Sequence, residues 1–323
     1  MRLIFLGTGA GVPSRLRNVS SLALDMSQSG GPTWLFDAGE GTQLQILKTS
    51  ISLRRVEKVF ISHLHGDHVF GLPGLLSTRS FQAETRPLHL YGPPGITDLV
   101  ESTLRLTSSH LTYPLEITEV NDGDVLFHDK GLRVIAGLLD HSLPCFGYRI
   151  EEDPFPGALQ IDRLKAEGVE PGPAYSALKA GQEVTLPDRR VINGKDYLDP
   201  DYPGRVLAIL SDTRATSRAV DLARNADVLV HESTYAESER HMTLRFAHAT
   251  CIQAAQIAAQ AEVTTLLLTH ISQRYGQAQD LEAEARTVFP STHVMSDLQV
   301  VTLPTPGRDK DRHIKVATPA EPR

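Results

Sequence analysis

Four ligand-type side chains, His63, His65, Asp67 and His68, fall within six positions directly after the apolar run Val59-Phe-Ile-Ser62. On extended backbone, residues two apart share a side, so His63 and His65 point the same way, and Gly66 permits the turn that brings Asp67 and His68 round to them. With 13 His in 323 residues, the odds of meeting His-x-His-x-Asp-His by chance are about one in a thousand. Such a cluster needs a rigid strand end to present it. Imidazole and carboxylate without thiolate suit zinc or manganese. Three further candidates follow apolar runs downstream: His141 after residues 134–140, Asp212 after residues 207–211 and His270 after residues 266–269. Taken singly, each reads as an ordinary turn residue; together they lead us to expect two metal ions.

Short β-rich runs alternate with helical patterns such as Thr216 to Arg224 and Ala249 to Ala261, which places the chain in the α/β class. Chemistry at strand ends is what that class predicts. Hydrophobic residues at 41% and charged residues at 22% describe a soluble globular protein. No stretch approaches the roughly 18 apolar residues of a membrane span, so no membrane association is expected. Leu3 to Leu6 is too short for a secretory h-region and reads as a first strand. Cys145 and Cys251 are the only thiols, so no disulfide framework is expected and the cytoplasm is the default location. The net charge of −7 and pI near 6.0 argue against a uniformly basic nucleic-acid surface. Metal ions would offset part of that charge, which narrows the argument to an uneven field, positive along the metal cleft.

Residues 151–204 break the rhythm with Asp153-Pro-Phe-Pro-Gly157, Glu170-Pro-Gly-Pro173 and Asp199-Pro-Asp-Tyr-Pro-Gly204. So many breakers exclude a core helix or central strand and predict an extended insertion projecting from the main body, 1–303, with one short helix at Gln160 to Glu167. Residues 304–323 are polar and unpatterned, and are expected to form a disordered tail.

The His-Leu-His-Gly-Asp-His run with later His, Asp and His resembles the metallo-β-lactamase superfamily, which implies a four-layer αββα sandwich. Finer motifs narrow this. Gly7 to Pro13, Pro13-Ser-Arg-Leu-Arg17-Asn18, Asp37 to Gln43, His63 to Leu75, Ser211-Asp-Thr-Arg214, His231-Glu-Ser-Thr234, His248-Ala-Thr250 and Leu268 to Ser272 are similar to those of the ribonuclease Z family, short form. Small departures are Ser211 for Gly, Arg15 for Lys and Ala249 for Ser.

The resemblance implies one zinc on His63, His65 and His141, a second on Asp67, His68 and His270, and Asp212 bridging them; manganese and cobalt are candidate substitutes. It implies an endoribonuclease that removes the 3′ trailer of precursor tRNA and leaves a tRNA 3′-hydroxyl and a trailer 5′-phosphate. Two metal ions suit in-line phosphoryl displacement. Asp67 is expected to handle the water's proton, His248 to protonate the leaving 3′-oxygen and Glu232 to orient His248. Arg17 and Asn18 are candidate phosphate contacts. The insertion matches the family's tRNA-gripping arm, with Gly172 and Pro173 in its Gly-Pro signature, and the family implies a homodimer. With 11 acidic and 7 basic residues over residues 151–205, the arm is not net cationic, so its basic residues must share a face to hold RNA. Alternatives are a dual endo- and 3′-exonuclease of the ribonuclease BN type, a small-molecule hydrolase of the same fold, and an idle RNA-binding protein with structural zinc.

Overall fold

The computed structural model describes residues 1–276, 278–305 and 314–317. They form two compact units, one of residues 1–150, 206–303 and 314–317, the other centred on Glu151–Arg205.

The first unit holds two large sheets. One has eight strands in the spatial order Lys315–Ala317, Val300–Thr302, Arg2–Gly7, Ser21–Asp25, Thr33–Phe36, Val56–Phe60, Leu88–Gly92 and Leu115–Glu119. The first five are joined by antiparallel pairings and the last three extend the sheet in parallel. The other has seven: Thr292–Val294, Thr265–Thr269, Val228–Glu232, Val206–Ile209, Cys145–Glu152, Leu132–Leu139 and Val125–Asp129.

Both sheets are apolar on both faces, because alternate residues of a strand point to opposite sides. Leu3 and Phe5 join Trp34, Phe36 and Phe60 from their own sheet and Tyr148, Ile209, Val230 and Leu267 from the other, so the two sheets pack face to face. At the heart of this layer Phe60 stacks on Phe36 and Tyr91, with ring centroids 4.8 and 5.2 Å apart. Ile4 and Leu6 point the other way, towards Leu72, Leu75 and Leu76 of the helix Leu72–Phe81. On the far side Leu266 and Leu268 meet Ala254, Ala255 and Ala258 of the helix Cys251–Gln260. That helix starts at a capping box in which Thr250 and Gln253 satisfy each other's backbone N–H groups. The result is a four-layer αββα sandwich.

The second unit departs from the expected extended insertion. It contains the helices Ile161–Ala166 and Pro173–Lys179 and the hairpin Glu183–Thr185 with Val191–Asn193. Leu164, Val169, Leu178, Ile192 and Tyr197 give it a core of its own. Its prolines are not all breakers: Pro173 opens a helix at the position where a missing N–H costs nothing. The tail also departs from expectation. Lys315–Ala317 pairs antiparallel with Val300–Thr302 and completes the sheet edge. Residues 306–313 and 318–323, which the same expectation covered, lie outside the described residues.

Candidate metal centre

The strands place the ligand-type residues at one edge of the sandwich. His63 follows Val56–Phe60, His141 follows Leu132–Leu139, Asp212 follows Val206–Ile209 and His270 follows Thr265–Thr269. Their ligand atoms gather in overlapping groups: His63, His65, His141 and Asp212; Asp67, His68 and His270; Asp212, His248 and His270. Within each group the atoms lie within 4.8 Å of one another. His65 Nδ1 sits 2.9 Å from His63 Nε2 and 3.2 Å from His141 Nε2. Asp212 reaches both sides, with Oδ2 3.6 Å from His63 Nε2 and Oδ1 3.3 Å from His270 Nε2.

Four of these imidazoles are held from behind. His141 Nδ1 donates to the Ala247 carbonyl at 2.8 Å and His68 Nδ1 to Asp37 Oδ2 at 2.7 Å. Ser62 Oγ donates to Asp37 Oδ2 at 2.9 Å, which leaves its oxygen to accept from His63 Nδ1 at 3.0 Å. Thr234 Oγ1 donates to Glu232 Oε2 at 2.7 Å and accepts from His270 Nδ1 at 2.9 Å. In each ring Nδ1 is engaged, so Nε2 is the atom turned inward. A ligating histidine takes this form, its second nitrogen tied to a carboxylate, hydroxyl or carbonyl.

Glu232 also accepts from His248 Nδ1 at 2.9 Å and from the backbone of Thr213 and Ala249, both at 3.1 Å. Its carboxylate is completely buried. Burial opposes a charged His248, but the charge of Glu232 and its hydrogen bond outweigh burial and push the imidazole up to about 9. His231 stays apart, its Nδ1 donating to the Glu232 carbonyl at 2.7 Å. Asp67 Oδ2 accepts the Gly11 N–H at 2.8 Å.

The donor set fits divalent metal ions. Burial and neighbouring imidazoles hold His63 well below its ordinary value, in the neutral form a metal needs. His68 Nε2 and Asp212 Oδ1 are buried with no hydrogen-bond partner, a costly state that a bound cation relieves. Seven ligand-type side chains without thiolate suit divalent metal ions in an open site better than a closed structural zinc site.

One expectation is corrected. Arg17 is buried, its Nη1 donating to Thr8 Oγ1 at 2.7 Å and to the Met295 carbonyl at 2.6 Å, so it presents no guanidinium to a phosphate. Asn18, half-buried, gives one Nδ2 hydrogen to the Glu40 carbonyl at 2.8 Å. The exposed cation of that loop is Arg15. Gly172 and Pro173 are exposed at the start of their helix. Reading motifs along the chain missed Asp37 as an anchor of two histidines; its one signal was an Asp at a strand end, where the backbone takes φ +58°.

The fold recurs among solved proteins. The metallo-β-lactamase fold protein YhfI from Bacillus subtilis superposes with a TM-score of 0.66 at 17% identity, covering 93% of this chain and 98% of that one, which defines the class as the metallo-β-lactamase fold. Human tRNase Z, short form, gives a TM-score of 0.69 at 29% identity, covering 94% and 100%. A family model described as anti-Pycsar protein Apyc1 matches residues 1–126. Ribonuclease Z of Limosilactobacillus reuteri is 53% identical over 306 residues, 94% of this chain and 99% of the relative, and that of Enterococcus faecalis is 50% identical over 307 residues, 94% and 98%. The chain belongs to the ribonuclease Z family.

Proposed function

We propose that this chain is a zinc-dependent endoribonuclease that cuts precursor tRNA after the discriminator nucleotide and releases the 3′ trailer. Family membership makes it a metal-dependent endoribonuclease acting on phosphodiester bonds. The observation that carries the finer reading is the convergence of five imidazoles and two aspartates at one sheet edge, four of the rings anchored from behind.

His63, His65 and His141 would hold one ion, Asp67, His68 and His270 the other, with Asp212 shared between them. Bound there, two ions would supply Lewis acidity at the phosphate and would lower the pKa of a water towards neutrality. Asp67 orients that water and accepts its proton, its carboxylate steadied by the Gly11 amide. As the water oxygen bonds to phosphorus the P–O3′ bond breaks. His248, kept protonated by Glu232, gives the departing 3′-oxygen its proton. The products are a tRNA 3′-hydroxyl and a trailer with a 5′-phosphate.

The unit formed by residues 151–205 serves as the substrate arm. Its own core keeps its shape while Lys165, Arg189 and Lys195 remain exposed for backbone phosphates. A homodimer is supported by exposed Leu44, Leu47, Phe70 and Phe81, on or beside the packed helices Thr42–Ile46 and Leu72–Phe81. A cytoplasmic setting accords with two buried, unpaired cysteines. Among the described residues no helix is long and apolar enough to cross a membrane.

The test is incubation of the purified protein with zinc or manganese on a 3′-extended pre-tRNA, followed by mapping of the product ends. One cut leaving a 3′-hydroxyl at the discriminator is expected. A ladder of shortened products would replace this reading with a 3′-exonuclease, and no cleavage would overturn it.

A further inference from the structure

The loop from Thr8 to Asn18 carries the Pro-x-x-x-Arg-Asn motif, yet its Arg is spent on internal bonds. Both ends of the loop converge on one carboxylate, that of Asp297. Oδ1 accepts from the Thr8 N–H at 3.0 Å and from the Thr8 hydroxyl at 2.6 Å. Oδ2 accepts from the Asn18 N–H at 2.6 Å and from Gln45 Nε2 at 2.9 Å. Arg17 Nη1 donates to the same Thr8 hydroxyl from the opposite side, so the hydroxyl relays between guanidinium and carboxylate. Four donors saturate the acceptor sites of one ionised carboxylate.

Between the clamped ends lies Gly11, at φ +71°, a left-handed conformation that favours glycine. Its N–H donates to Asp67 Oδ2. The Thr8 carbonyl, meanwhile, accepts the Ile271 N–H at 2.8 Å and ties the loop to the residue after His270. We infer that Asp297 is a positioning residue for Asp67: by fastening residues 8 and 18 together it holds the Gly11 amide on the Asp67 carboxylate and so fixes that side chain's orientation. The inference rests on the reading of Asp67 as the group that orients the reacting water.

The chemistry specifies the variants. Asp297→Asn keeps the shape but turns an NH₂ towards donors, so the clamp opens. Thr8→Val removes both hydroxyl bonds at nearly constant volume, whereas Thr8→Ser retains them. Each protein is loaded with zinc, its metal content and thermal unfolding are measured, and kcat and KM are determined on pre-tRNA and on bis(p-nitrophenyl) phosphate. For D297N and T8V we expect kcat per bound zinc to fall roughly tenfold to hundredfold on both substrates, with KM within about twofold of wild type. T8S should recover to within about twofold of wild type. A kcat per zinc equal to wild type in D297N, or a loss that only follows metal content or folded fraction, overturns the inference. A wild-type protein inactive on both substrates overturns the functional reading as well.

Discussion

Two buried carboxylates anchor four of the imidazoles between them. Asp37, from the first sheet, anchors His68 directly and His63 through Ser62; Glu232, from the second, anchors His248 directly and His270 through Thr234. Loss of either should therefore damage catalysis without touching a ligand atom. Glu232→Gln should lower kcat roughly tenfold to hundredfold. It should also move the alkaline limb of the pH–rate profile: His248 is protonated until the pH passes about 9, and without the Glu232 charge, burial favours the neutral ring and the acid form is lost at lower pH. An unchanged alkaline limb in E232Q would remove His248 from the acid role. Asp67→Ala should abolish cleavage while gel-shift binding of pre-tRNA survives. The residues legible in the sequence were those whose chemistry shows at short range, as in the His63 to His68 run. Arg17 was misread because an arginine beside an asparagine gives no sign of its burial. Asp37 and Asp297 stayed hidden because their partners lie far along the chain, His68 at 31 residues and Thr8 at 289.

Elements were legible where hydrophobic period and length agreed. The runs ending near His63, Asp212 and His270 are strands because β-branched and leucine residues alternate between two apolar layers. The inserted unit was less legible, since Pro and Gly mark both turns and helix starts, and only packing decides between them. Leu164, Leu178 and Tyr197 close a small core that no local pattern announces. That core predicts how the unit behaves when removed. Deleting residues 155–200 should leave hydrolysis of bis(p-nitrophenyl) phosphate standing while pre-tRNA processing falls by at least about a hundredfold. Pre-tRNA processing that survives the deletion would refute the arm's role. Charge-reversal at Lys165, Arg189 and Lys195 offers a milder check: it should raise KM for pre-tRNA and flatten its salt dependence, because each lost phosphate contact reduces the number of counterions released.

At the scale of the whole molecule, the metal centre is also a stability device. Asp67, Asp212 and Glu232 crowd the interior of one sheet edge, where their mutual repulsion and desolvation favour a bound cation. Stripping the metal with a chelator should lower the unfolding temperature and abolish activity together, and zinc or manganese should restore both. For each site, ions at a hundredfold excess over Kd add about 2.7 kcal/mol to stability, several degrees in a differential scan. An unfolding temperature indifferent to chelation would argue that the clusters hold no ion. The placement of Asp297 has a consequence for synthesis. The clamp on the residue 8–18 loop joins groups 289 positions apart, and His270 also comes late in the chain. A ribosome adding roughly 5–20 residues each second therefore carries the first ligand cluster for many seconds before the last parts arrive. Throughout that interval the emerging polypeptide lacks a complete cutting centre, so a nuclease is inert until the end of its own synthesis.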